Sequence, residues 1–174
     1  MYQIQDISSM LAGEYTAPKA GDTIVDVCGA PGGKSINAAL KMSEQGDCGR
    51  VIARDLSDYK VALIDENIKR LNITNIQTQV YDALDCDESL INKADIVIAD
   101  LPCSGLGIIG RKPDIKYNAS PEKLQSLVDL QRDILKVVSR YVKSGGVLMY
   151  STCTINRAEN EDNADWICKE LGFT

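Results

Sequence analysis

Short apolar runs alternate with stretches of helical periodicity along most of this chain. Ile24-Val25-Asp26-Val27-Cys28 is apolar on both faces apart from one acid, which predicts a buried strand. Arg50 to Asp55, Ile76 to Val80, Asp95 to Asp100 and Val147 to Ser151 predict four more. Helices are predicted over Ser35 to Met42, Ser57 to Leu71, Pro121 to Val142 and Ala158 to Leu171. In the second of these, Val61, Ile64, Ile68 and Leu71 recur at helical spacing behind a Ser57 cap. Gly145-Gly146 reads as the stop of the third. The first twenty residues predict a short helix packed against the sheet. Strands alternating with helices imply an α/β fold with a parallel sheet, right-handed crossovers and helices on both faces. The expected strand order is 3-2-1-4-5, with ligands at the carboxyl ends near the switch between strands 1 and 4. No repeat or linker divides residues 1–174, so they read as one domain.

Composition narrows the chemistry. The chain has 174 residues and no histidine. The usual general base is therefore missing, and acid-base work falls to Asp, Glu, Lys, Cys or water. Six cysteines contain no CxxC pair, so no metal site is expected. The even count allows disulfides, but the α/β pattern and an expected cytoplasmic setting favour free thiols. No apolar run is long enough for a bilayer, no signal peptide is apparent, and no membrane partner is expected. A net charge of −6 argues against a stand-alone nucleic-acid binder.

The loop after strand 1, Cys28-Gly29-Ala30-Pro31-Gly32-Gly33-Lys34-Ser35, is rich in glycine and opens a helix. Its backbone can approach a ligand closely, and the helix start offers free N–H groups. A carboxylate, a ribose or a phosphate would each suit it. A Walker A loop would need glycine at position 28, where Cys28 stands, and the dinucleotide pattern is not matched either. Asp55 ends strand 2 where an acid can accept from ribose hydroxyls, or it caps the next helix. Asp82, just past strand 3, can reach an adenine amino group or stand as an ordinary loop acid. Asp26, inside strand 1, reads as structural, satisfying loop N–H groups.

Two thiols stand at the ends of strands. Cys103 follows strand 4 in Asp100-Leu101-Pro102-Cys103-Ser104-Gly105, and Cys153 follows strand 5 in Ser151-Thr152-Cys153-Thr154. Neighbouring strands lie about 4.8 Å apart, so both would project from one edge of the sheet. Small buried hydrophobes are the commoner fate of free cysteines. Cys28, Cys48, Cys86 and Cys168 are read that way, or as simply exposed.

Together these segments resemble the Sun/Fmu family of RNA cytosine-5 methyltransferases. The resemblance runs through Val25 to Ser35, Ala99 to Gly105, Arg111 to Tyr117, Tyr150 to Thr154 and Asn156 to Glu161, in family order. It implies a Rossmann-like fold, S-adenosylmethionine as cofactor and RNA, notably small-subunit ribosomal RNA, as substrate. In the implied mechanism Cys153 adds to carbon 6 of cytosine, and the resulting enamine takes the sulfonium methyl group at carbon 5. Cys103 then aids release. DNA cytosine-5 methyltransferases use the Pro-Cys thiol as nucleophile, so the presence of both thiols favours RNA. The resemblance also implies cofactor contacts from Cys28, Gly29, Ala30, Pro31, Gly32, Gly33, Lys34, Asp55, Asp82 and Asp100. Lys34 and Asp100 would lie close to the methyl-transfer centre. Gly29 and Ser35 stand where the family usually has Ala and Thr, both conservative in size.

Residues 104 to 120 form a long connection in which Arg111, Lys112 and Lys116 make a basic patch. It can contact RNA phosphate or remain a solvated loop. Relatives continue into further strands and carry an amino-terminal RNA-binding region. The chain therefore reads as a catalytic-domain fragment with the terminal strands missing. That accounts for its acidic balance and leaves a strand-5 edge open to self-association. Two other readings remain at this level: a P-loop-like nucleotide-binding module built on Lys34-Ser35, and a non-catalytic RNA-binding fragment.

Overall fold

The computed structural model describes residues 5–46 and 49–174. Cys48 lies outside them. Five parallel strands make one sheet in the order β3-β2-β1-β4-β5. They are β1 (Thr23–Asp26), β2 (Arg50–Asp55), β3 (Ile76–Val80), β4 (Ala94–Asp100) and β5 (Val142–Ser151). The expected order holds: the β1–β2, β2–β3 and β4–β5 crossovers carry α2 (Gly33–Glu44), α3 (Asp58–Leu71) and α5 (Pro121–Val138), and the β3–β4 crossover carries a 3-10 turn over Glu88–Leu90. A helix α1 (Ile7–Thr16) precedes β1, a one-turn α4 (Ile115–Asn118) precedes α5, and α6 (Glu161–Leu171) follows β5.

Alternation along the strands divides the core into two layers. Ile24, Ile96 and Ile98 face Ala38, Ala39 and Met42 of α2. Val25, Val97 and Ala99 face Ile134, Leu135 and Val138 of α5 and Ile167 of α6. Both faces of β1 and β4 are covered, which is why these strands read as nearly continuous apolar runs. Each Ile, Val, Leu or Met among them stabilises the fold by roughly 1.5–3 kcal/mol through burial.

Most boundaries fall close to expectation. β2 and β3 match it, and Ser57 caps α3 by accepting the Lys60 N–H. β1 is shorter, ending at Asp26, which leaves Val27 and Cys28 to begin the loop. α2 begins earlier, at Gly33, and α6 begins later, after a 3-10 turn over Arg157–Glu159. One expectation is corrected. Gly145-Gly146 does not stop a helix; α5 ends at Val138, and both glycines lie inside β5. The register jumps there, from Ala94↔Val142 to Ile96↔Val147, so the extra β5 residues bulge out of the ladder.

Gly146 presses its backbone against β4. A Cβ there would come within 2.8 Å of the Asp95 carbonyl oxygen and 3.0 Å of the Lys143 carbonyl oxygen. Gly146→Ala is therefore expected to lower unfolding stability by about 1–3 kcal/mol, as overpacking does. Urea unfolding measures it, and an unchanged midpoint would mean the bulge relaxes freely.

Candidate active site

The glycine loop, Asp100 and the two thiols lie at the carboxyl ends of β1, β4 and β5. The glycine loop is held from below. The Gly29 N–H donates to the Arg54 carbonyl (2.8 Å) and the Ala30 N–H to Asp55 Oδ2 (3.1 Å). Asn67 of α3 donates to the Pro31 carbonyl (3.0 Å). Gly32, at φ +102°, turns the chain into α2, a conformation that favours glycine.

Above this loop lies a cavity of about 530 Å³. Its walls include Cys28, Gly29, Ala30, Pro31, Gly33 and Lys34, together with Asp26 and Asp100. Gln5, Asp6 and Ser9 close it from the amino-terminal side. A second cavity of about 710 Å³ adjoins it, walled by Gly107, Ile108, Arg111, Ser151 and Cys153. Lys34, Asp100, Asp6 and Ser9 belong to both.

Lys34 Nζ and Asp100 Oδ2 form an ion pair on the shared wall. The other Asp100 oxygen accepts from Ser151 Oγ (2.8 Å). The two thiols come together as their strand positions suggested, with Sγ atoms 3.2 Å apart and the Cys153 N–H donating to Cys103 Sγ (3.2 Å). Their surroundings differ. Cys153 is exposed and lines the second cavity, whereas Cys103 is half-buried behind it. Burial pushes the Cys103 thiol up to about 12, and the contact with Cys153 adds to the rise. Burial likewise lifts the Cys28 thiol to about 12, with Asp26 contributing. Cys28 and Cys86 pack against the core, and Cys168 is exposed.

Two acids sit away from the cavity walls. Asp55 is buried, and its carboxylate is occupied by the N–H groups of Ala30 and Leu56 and by Lys60 Nζ (3.0 Å). It anchors the loop from beneath. Asp82 accepts the Leu84 N–H (2.9 Å), closing a local turn. In the long connection, Arg111 lines the second cavity and pairs with Asp6 (2.8 Å). Lys112 is exposed, and Lys116 lies over the Tyr117 ring, 4.8 Å from its centroid.

Asp26 lies beneath the loop, against Gly29. It is almost fully buried, accepts from Ser35 Oγ (2.6 Å), and leaves Oδ1 without a partner among the described residues. Burial pushes its carboxyl up to about 7, with nearby Asp100 adding to the rise and the Ser35 hydrogen bond opposing it. A Cβ on Gly29 would meet this carboxyl at 3.1 Å. Gly29 and Ser35 thus both lie against the same acid.

Sequence reading missed Ser151 and Glu159. Ser151 precedes Cys153 by two residues, the spacing that places side chains on one face of a strand. Glu159 lay within a stretch already matched to the family, but nothing local singled it out.

No helix among the described residues is long and apolar enough to cross a membrane. Among them, no group of three or more His, Cys, Asp or Glu could hold a metal ion.

Residues 14–170 match the family described as 16S rRNA methyltransferase RsmB/F. A probable ribosomal RNA small subunit methyltransferase B from Bacillus subtilis is 43% identical over 160 residues, covering 91% of this chain and 35% of that protein. A ribosomal RNA small subunit methyltransferase F from Escherichia coli is 34% identical over 169 residues, covering 96% and 35%. The chain spans about a third of the length of these relatives. Among solved structures, NSun6 from Pyrococcus horikoshii with SFG, an S-adenosylmethionine analogue, superposes with a TM-score of 0.83 at 31% identity, covering 95% of this chain and 41% of that one. A methyltransferase homolog from the same organism gives a TM-score of 0.80 at 29% identity, covering 95% and 50%. The Rossmann-like, S-adenosylmethionine-dependent fold that the resemblance implied is the one these structures share. By the match over residues 14–170 and by these relatives, the chain belongs to the RsmB/F family of ribosomal RNA methyltransferases.

Proposed function

We propose that this chain is the catalytic core of an enzyme that methylates carbon 5 of cytosine in small-subunit ribosomal RNA through a covalent Cys153 adduct. The observation that carries it is the thiol pair, 3.2 Å apart, of which Cys153 lines a cavity sharing Lys34 and Asp100 with the glycine-loop cavity.

The loop cavity suits S-adenosylmethionine in size. Its wall offers the unpartnered Asp26 Oδ1 and a glycine-rich backbone that a ligand can approach. Residues Cys28 to Lys34 and Asp100 would hold the cofactor, and Asp55 would support the loop. The bound cofactor supplies an electrophilic methyl group. Cys153, exposed in the second cavity, gives its proton to solvent, adds as thiolate to carbon 6 and raises electron density at carbon 5. Asp100, steadied by Lys34 and Ser151, holds the ring beside it. After methylation, carbon 5 loses its proton and the bond to Cys153 breaks. Cys103, protonated at rest, gives its proton to the departing sulfur and takes the carbon 5 proton in exchange. It ends as it began. Arg111 lines this cavity, and Arg111, Lys112 and Lys116 of the same connection would suit RNA phosphates.

The nucleotide-hydrolase alternative is disfavoured by Ser35, whose buried hydroxyl is bonded to Asp26 rather than open to a magnesium ion. Calorimetric titration separates the two readings. S-adenosylmethionine is expected to bind, ATP with magnesium is not, and Lys34→Met should weaken cofactor binding by about tenfold, some 1.4 kcal/mol. Binding of ATP alone would overturn the methyltransferase reading.

A further inference from the structure

We infer that Glu159 is a positioning residue that sets the spacing of Cys103 and Cys153; the inference rests on reading those two thiols as the reacting pair. Glu159 is completely buried in the 3-10 turn before α6. Its Oε2 accepts the N–H of Ser104 (2.9 Å), the residue after Cys103, and the Gln131 side-chain amide (3.0 Å). Its Oε1 accepts from Asn156 Nδ2 (3.0 Å). Gln131 also donates to the carbonyl of Pro102 (2.9 Å), the residue before Cys103. The backbone carbonyl of Glu159 accepts from the Tyr150 hydroxyl on β5.

The next residue completes the clamp. Asn160 donates to the Thr154 carbonyl (2.9 Å) and accepts from the Thr152 hydroxyl. The Ser104 and Thr154 hydroxyls meet at 2.7 Å. Residues on both sides of each cysteine are thereby tied to one corner, while neither thiol is itself engaged by it.

Chemistry explains why the corner is an acid. Three N–H donors from three separate segments converge on this carboxylate. A neutral amide of the same shape offers one acceptor oxygen and turns an NH₂ group toward another donor. Burying a carboxylate among neutral donors is costly. Removing the acceptor from Ser104 frees the Cys103 loop to shift against β5, and a shift below one ångström is large beside a 3.2 Å thiol contact.

The test reads thiol spacing directly. Phenylarsine oxide condenses with two neighbouring thiols, forming two arsenic–sulfur bonds and releasing one water. The unsubstituted protein is expected to capture it through Cys103 and Cys153, with Cys103→Ala defining the background. Glu159→Gln should weaken capture at least tenfold while keeping S-adenosylmethionine affinity within twofold, because the Lys34 side of the site does not touch this corner. Glu159→Asp, which keeps the charge but withdraws it from Ser104, should fall between and serves if the glutamine variant does not fold. Capture unchanged in both variants overturns the inference, as does a parallel loss of capture and cofactor affinity, which is the mark of a general loss of structure. If the unsubstituted protein binds arsenical but not cofactor, the methyltransferase reading fails, and the Glu159 effect on capture still decides the inference.

Discussion

Cys103→Ala is expected to turn the proposed enzyme into a trap. Attack by Cys153 needs only the exposed thiol, which the substitution leaves in place. Release needs a proton delivered to the departing sulfur, and Cys103 stands 3.2 Å from it. Losing that acid-base relay should slow release by roughly 10²–10⁴-fold. Protein–RNA adduct should then accumulate and survive on a denaturing gel. Cys153→Ala should form no adduct and lose turnover by roughly 10⁴-fold or more, the scale on which loss of a nucleophile is felt. Adduct formed by Cys153→Ala but not by Cys103→Ala would reverse the roles. Burial of the Cys103 thiol, which holds it protonated, argues for the order given.

Asp26→Asn should stabilise the fold, and increasingly so as pH rises. In the folded protein burial holds the Asp26 carboxyl at about 7, against an ordinary value of 3.8. Below about pH 4 both folded and unfolded chains keep the proton, and the group costs nothing. Between about pH 4 and 7 the unfolded chain releases it while the folded protein holds it, so stability falls as pH rises. Above about 7 the whole cost remains, at most on the order of 4 kcal/mol. Asparagine has no such titration and can still accept from Ser35. Urea unfolding of both proteins at acidic and alkaline pH measures the difference. A gap that fails to widen toward alkaline pH would show that Asp26 is not held protonated.

What could be read in advance follows from how locally each feature is encoded. β2 and β3 were legible because apolar or β-prone runs end abruptly at charged and turn residues, and these limits survive packing. The start of β5 was not. Gly145-Gly146 carries the same local signal whether it stops a helix or relieves a bulge, and only the register against β4 decides. The thiol pair was foreseeable because Cys103 and Cys153 follow strands that the topology makes neighbours. The place of Asp55 at the end of β2 was clear in the sequence, whereas the Ala30 and Leu56 N–H groups and Lys60 that meet its carboxylate come from the folded loop and helix. Glu159 was invisible because its bond to Ser104 links residues 55 positions apart, and no local pattern records such a bond.

The Lys34–Asp100 ion pair stands in the partition between two chambers. Whatever fills one chamber acts on the same two side chains that the other occupant meets. In the proposed enzyme, any factor by which the methyl donor changes the grip on a base is returned, undiminished, as a change in the grip on the donor.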